Sequence, residues 1–146
     1  MSDHAGALHR PGPVHRRGRD GHVATSDGIL ALDLAAPKEM GGEGGATNPE
    51  QLFAAGYAAC FHSALKLLAR RDKVDVAGSS VTADVGLGRT DSGGFGLTVT
   101  LNVEVPGLDP ETVRELTAKA HELCPYSNAV RGNVDVTLTV AGDANG

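Results

Sequence analysis

The sequence predicts an α+β domain with a largely antiparallel sheet and one long, buried central helix. Three observations carry that prediction. The patterns run β-β, long α, β-β, α, β. Residues 52–61 are small or apolar almost without interruption. Two stretches of apolar–polar alternation flank a DSGG turn at 91–94.

Residues 1–16 (MSDHAGALHRPGPVHR) are polar, rich in His and Arg, and broken by Pro11 and Pro13, which makes them a loose arm. The domain proper is expected over 17–146. RGRDG at 17–21 is turn-like, and HVATSDGILALDLA reads as a hairpin around Ser26-Asp27-Gly28. The Gly-rich PKEMGGEGGA at 37–46 is a loop leading into the helix, TNPEQLFAAGYAACFHSALKLLARR. Asn48 suits the N-cap, Pro49 the first helical position, and Gln51 completes a capping box. Leu52 through Phe61 offer no polar face, so this half is expected to be covered on all sides. Lys66, Arg70 and Arg71 restore an exposed face further on.

SSVTADVGLGR and FGLTVTLNVEV alternate as paired strands. Asp109-Pro110-Glu111 caps a second helix with Val113, Leu116, Ala120 and Leu123 on one face. It runs into Cys124-Pro125, a polar turn YSNAVRGN, and a last strand from Val134 to Val140.

At 146 residues the chain can bury a real core as one domain. A net charge of −5, a pI near 5.6, no Trp and only five Phe or Tyr argue against nucleic-acid binding. The absence of an 18-residue apolar run, and of an apolar segment at the N-terminus, predicts a soluble cytoplasmic protein without membrane association. Two cysteines are too few for a secreted disulfide scaffold. In a reducing compartment such a pair is more often catalytic, redox-active or metal-binding.

Cys60 lies within the apolar helix, where a buried thiol also serves as a small hydrophobe. Cys124 sits at a helix terminus, where the chain can approach another element. A peroxidatic and resolving pair is one reading, because a sulfenic acid on one thiol condenses with the other. The rival is a zinc set of Cys60, His62, His121 and Cys124. His121 and Cys124 share a helix face, but Cys60 and His62 point roughly 200° apart at 3.6 residues per turn. A reactive thiol needs a neighbouring cation. Lys66 is nearly two turns away, whereas Arg19 stands between glycines in the RGRDG turn. Glu50 is a candidate carboxylate for that arginine, although at the second helical position it also complements the helix dipole.

TNPEQLFAAGYAACF around Cys60, AHELCPYSNAVRGNVDV around Cys124 and GRDG around Arg19 resemble the organic hydroperoxide resistance (Ohr) branch of the OsmC superfamily. The resemblance covers about residues 17–141, with the motifs in the family's order and spacing. It implies an intertwined homodimer with two sites at the subunit interface, and a thiol peroxidase that reduces organic hydroperoxides to alcohols. By position, Cys60 resembles the peroxidatic and Cys124 the resolving cysteine. Arg19 and Glu50 resemble the pair that orients and activates the thiolate. No cofactor is implied. Dihydrolipoyl groups, as dihydrolipoamide or on a lipoylated protein, are the expected reductant. The departure lies at the start, where Arg17 replaces the first glycine of the family's GGRDG turn, and two prolines argue against a central strand before it.

Glu50 and Cys60 are ten residues apart, about 15 Å along a straight helix. Glu50 of that helix therefore acts through Arg19, or comes from the partner's helix. Apolar lining that favours organic substrates is expected from Phe53, Phe95 and Met40, each of which equally suits plain core. His62 and His121 read as structural or surface residues. The alternative function is a non-catalytic redox-sensing or ligand-binding member of the same superfamily.

Overall fold

The computed structural model describes residues 21–142, so the arm and Arg19 lie outside the described residues. Contacts divide the chain into two compact units, one up to Leu52 and one from Phe53.

In the first unit, β1 (His22–Ala24) and β2 (Ala31–Asp33) form the expected hairpin, paired antiparallel with Val23 opposite Leu32. Asp27 fixes its turn by accepting from Thr25 Oγ1 at 2.6 Å and Ile29 N–H at 3.0 Å. The Gly-rich loop holds one short 3-10 turn, Lys38–Met40. Gly42 is obligatory there, since a Cβ would come within 2.1 Å of the Ala36 carbonyl oxygen. The capping box forms as its residues dictate: Gln51 N–H donates to Asn48 Oδ1 at 2.9 Å, and Asn48 N–H to Gln51 Oε1 at 3.3 Å.

That box opens α1 (Pro49–Arg71), which continues into the second unit. The helix ends where Val74 N–H reaches back to the Ala69 carbonyl and Lys73 N–H to that of Arg70, with Lys73 at φ +57°. This is a Schellman closure carried by a lysine in the left-handed region, in place of the usual glycine. Strands β3 (Ser80–Arg89) and β4 (Phe95–Glu104) pair antiparallel over ten residues. Helices α2 (Pro110–Leu123) and α3 (Pro125–Val130) follow, then β5 (Asp135–Val140). Asp109 caps α2 by accepting from Thr112 N–H at 3.2 Å.

Two expectations need correction. β5 pairs with β4 in parallel, Val99 opposite Val136, so this sheet is mixed. The chain leaves β4, passes through two helices and returns alongside it, which is a crossover rather than a hairpin. The stretch read as a polar turn contains α3, a helix of six residues with Pro125 at its first position. That is too short to show periodicity.

The core of the second unit gathers Tyr57, Phe61, Leu65 and Ala69 of α1, Val99, Leu101 and Val103 of β4, and Val113, Leu116 and Ala120 of α2. α1 turns Tyr57, Phe61, Ala64, Leu65 and Ala69 into this core, and its length and a mean hydropathy of 1.4 over 18 residues also meet the composition of a membrane span. It is not covered all round within one chain. Ala55 and Ala59 are exposed, where burial on every side was expected for residues 52–61, and Ser63 and Leu67 continue the exposed row at a spacing of four.

Candidate active site

Cys60 sits in the middle of α1, half-buried, one turn after Tyr57 and one residue before Phe61. Cys124 is fully buried and ends α2 while starting α3. Its N–H donates to Ala120 at 2.8 Å, and its carbonyl accepts from Asn128 N–H at 3.0 Å. Both of its backbone groups are thus committed.

The two free thiols are close enough to influence each other, and the Tyr126 backbone acts on the Cys60 sulfur as well. Burial pushes the Cys60 thiol above its ordinary value. The Tyr126 N–H opposes this by favouring the thiolate, and the Cys124 thiol adds to the rise. Within the described residues the environment of Cys60 therefore favours the protonated thiol, and a cation is what the site needs to activate it.

An aromatic wall stands beside the thiols. Phe53 and Tyr126 form it, 6.4 Å apart between centroids, and the fully buried Tyr57 packs behind them at 6.0 Å from Phe53, edge to face, and 5.8 Å from Tyr126. Gly56 makes this possible: a Cβ there would stand 3.0 Å from Tyr126 Oη. The ring lies against the helix where a side chain is missing. Beneath it runs a buried polar chain, with Tyr57 Oη 2.7 Å from Ser127 Oγ and Ser127 Oγ 2.8 Å from His121 Nδ1. Burial raises the Tyr57 phenol and, with Arg131 nearby, lowers the His121 imidazole. Arg131 donates to the His121 carbonyl oxygen and to Asn128 Oδ1, tying the end of α2 to α3.

The expected residues divide as follows. Cys60 and Cys124 are brought together, with Phe53 on the aromatic wall. Glu50 is in the first turn of α1, half-buried. Arg19 lies outside the described residues. Met40 is 47% exposed on the 3-10 turn of the first unit. Phe95 is 65% exposed at the start of β4, where its ring carries the Arg89 guanidinium at 5.2 Å. Neither suits the reading as plain core. The rival zinc set is split: His62 Nε2 bonds Ser79 Oγ at 2.9 Å and His121 bonds Ser127. Among the described residues no three His, Cys, Asp or Glu could share a metal ion. Tyr57, Tyr126, Ser127 and Arg131 had no assigned part in the sequence reading, and His121 was read as bystander. For Tyr57, His121 and Ser127 the available signal was a spacing of three from a cysteine, which is a helix-neighbour spacing; Tyr126 and Arg131, two and seven residues after Cys124, carried no such signal.

A long helix carrying a half-buried thiol against a second, buried thiol on a mixed sheet defines a class. The chain belongs to the OsmC/Ohr family, whose OsmC-like protein domain matches residues 42–139. Within it the chain is similar to proteins of the Ohr branch. It is 53% identical over 126 residues to the organic hydroperoxide resistance protein of Xanthomonas axonopodis pv. citri (strain 306), covering 85% of this chain and 88% of that protein. It is 50% identical over 127 residues to the organic hydroperoxide resistance protein OhrA of Bacillus subtilis (strain 168), covering 85% and 89%. The crystal structure of an organic hydroperoxide resistance protein from Legionella pneumophila superposes with a TM-score of 0.86 at 55% identity, covering 91% of this chain and 96% of that one. The expected fold is therefore the observed one: α+β, OsmC-like, with a long central helix.

Proposed function

We propose that this chain is a cysteine-based organic hydroperoxide reductase of the peroxidase class, acting in defence against oxidative stress. The observation that carries the reading is the apposition of the Cys60 and Cys124 thiols beside an aromatic wall. The names of its relatives give the substrate class.

The Cys60 thiolate attacks the terminal peroxide oxygen. The O–O bond breaks, hydroxyl passes to sulfur as a sulfenic acid, and the alkoxide takes up a proton and leaves as alcohol. Arg19, paired with Glu50, supplies the cation that offsets the burial of Cys60 and complements the developing alkoxide. The Tyr126 N–H adds a donor to the same sulfur. Cys124 then condenses with the sulfenic acid, releasing water and leaving a Cys60–Cys124 disulfide. A dithiol, dihydrolipoamide or the dihydrolipoyl group of a lipoylated protein, returns both thiols by exchange. No bound cofactor takes part. Phe53 and Tyr126 favour an alkyl or aryl hydroperoxide over hydrogen peroxide by offering apolar contact; Met40 and Phe95 join them if the partner subunit presents them. The exposed Ala55, Ala59 and Leu67 face of α1 supports a homodimer with paired helices. Free thiols with this task belong in a reducing compartment, the cytoplasm.

The test is intact mass and thiol count after one equivalent of an alkyl hydroperoxide. Wild-type protein should lose both thiols and about 2 Da as the disulfide forms. Cys60→Ser should abolish the reaction, and Cys124→Ser should halt at oxidised Cys60. Survival of both thiols in wild type would leave the sensing or ligand-binding alternative as the better reading.

A further inference from the structure

The polar chain beneath the thiols links three helices at a regular distance from the two cysteines. Tyr57 precedes Cys60 by three residues on α1, His121 precedes Cys124 by three on α2, and Ser127 follows Cys124 by three on α3. Each therefore lies one helical turn from a thiol. The bonds from Tyr57 to Ser127 and from Ser127 to His121 tie the helix bearing the first thiol to both flanks of the second. Tyr57 and Ser127 are completely buried, so neither meets a substrate. Apolar packing alone would hold the helices together without fixing their direction. The buried Tyr57 and Ser127 hydroxyls favour one arrangement, because separating them leaves a buried polar group bare, and the part-buried His121 extends the link to α2.

We propose that Tyr57, Ser127 and His121 are positioning residues for disulfide formation, holding Cys124 against Cys60 and so deciding the fate of the oxidised thiol. The proposal rests on the peroxidase reading above. Two reactions compete for the Cys60 sulfenic acid. In one, the Cys124 thiol attacks, the S–O bond breaks, an S–S bond forms, and the thiol proton leaves with the hydroxyl as water. In the other, a second hydroperoxide transfers an oxygen to the sulfenate, giving sulfinic acid and alcohol. The first is intramolecular and depends on how well Cys124 is held. The second depends on hydroperoxide concentration alone. Initial oxidation of Cys60 involves none of the three residues.

The experiment uses the full chain as wild type, Ser127→Ala and Tyr57→Phe, with tert-butyl hydroperoxide as the probe. Rapid-mixing kinetics give the rate of Cys60 oxidation and of disulfide formation; intact mass gives the sulfinic product, heavier by about 32 Da. In both variants Cys60 oxidation should stay within about twofold of wild type. Disulfide formation should slow by about tenfold, the loss of one buried hydrogen bond. Sulfinic acid should accumulate at correspondingly lower hydroperoxide. Tyr57→Phe keeps the ring and its packing, so it decides the matter should Ser127→Ala not fold. Wild-type partition between disulfide and sulfinic acid in Tyr57→Phe overturns the proposal, as does an equal fall in both rates, which marks general loss of packing. A wild type that leaves the hydroperoxide intact overturns the function itself and is seen before any variant is made.

Discussion

The two cysteines are held in opposite ways. Cys60 rides in the middle of a 23-residue helix closed at both ends by local signals, the Asn48–Gln51 box and the Lys73 turn. Cys60 is half-buried. Cys124 sits where two helices meet, wholly buried, with its backbone committed in both directions and its neighbours pinned by Tyr57, His121 and Arg131. A thiol that meets an outside reagent needs access and a stiff support. A thiol that meets only another thiol needs no access, but it needs aim. On the proposed function, the difference in burial fits a division of labour in which Cys60 meets the reagent and Cys124 meets Cys60.

Removing the proposed cation strikes the Cys60 side hardest. Burial holds that thiol above its ordinary value, with the Tyr126 N–H only partly opposing it. Arg19→Ala should lower the rate of Cys60 oxidation by roughly a hundredfold or more, the scale of a lost charge-stabilising donor. The pH profile of Cys60 alkylation by iodoacetamide should move to higher pH. Disulfide formation, once Cys60 is oxidised, should keep its wild-type rate. An unchanged alkylation profile would remove Arg19 from thiol activation.

Acid and alkali should separate the two regions through stability. His121, beside Cys124, is pushed below the ordinary histidine value by burial and then by Arg131, with Glu122 opposing. His62, on the Cys60 helix, is lowered by burial and then by Lys66. Unfolding frees both to bind protons, so stability present above about pH 6.5 is lost as pH falls through their folded values. Cys60 works in the other direction. With its value raised in the fold, stability is lost as pH rises past the ordinary thiol value of about 8.5. Melting temperature against pH should show a plateau between these limits. His121→Gln should flatten part of the acid limb and Cys60→Ser the alkaline one. An acid limb unmoved by His121→Gln would show that its imidazole charges as freely in the fold as out of it.

The same division explains what the sequence made legible. The capping box, both hairpins and the α2 cap are local arrangements, written in residues two to four apart, and they form as read. Cys60 and Cys124 were legible through the motifs around them. β5 parallel to β4 is a pairing across more than thirty residues, chosen by the crossover, and strand alternation says nothing of direction. The Tyr57–Ser127 bond joins positions 70 apart, each individually ordinary. The exposed Ala55 and Ala59 stripe looked like core because small apolar side chains read alike in sequence whether or not a neighbour covers them.

The smallest expected effect lies where the two regions touch, at Gly56 under Tyr126. Alanine there gains about 1 kcal/mol of helix propensity over glycine. Its Cβ would stand 3.0 Å from Tyr126 Oη and 3.3 Å from Cε2, so the ring must move by a few tenths of an ångström. Tyr126 is 40% exposed and can swing outward, giving up part of its contact with Phe53 and Tyr57, worth about 0.5–1.5 kcal/mol per aromatic pair. The two changes nearly cancel, so Gly56→Ala should leave chemical-denaturant stability within about 0.5 kcal/mol of wild type. The wall beside Cys60 is nonetheless rearranged. Apparent KM should therefore change more for cumene hydroperoxide, whose ring needs that wall, than for hydrogen peroxide, which does not. Equal changes for both would mean that Tyr126 serves the Cys124 turn alone, through its backbone, and that the aromatic wall selects nothing.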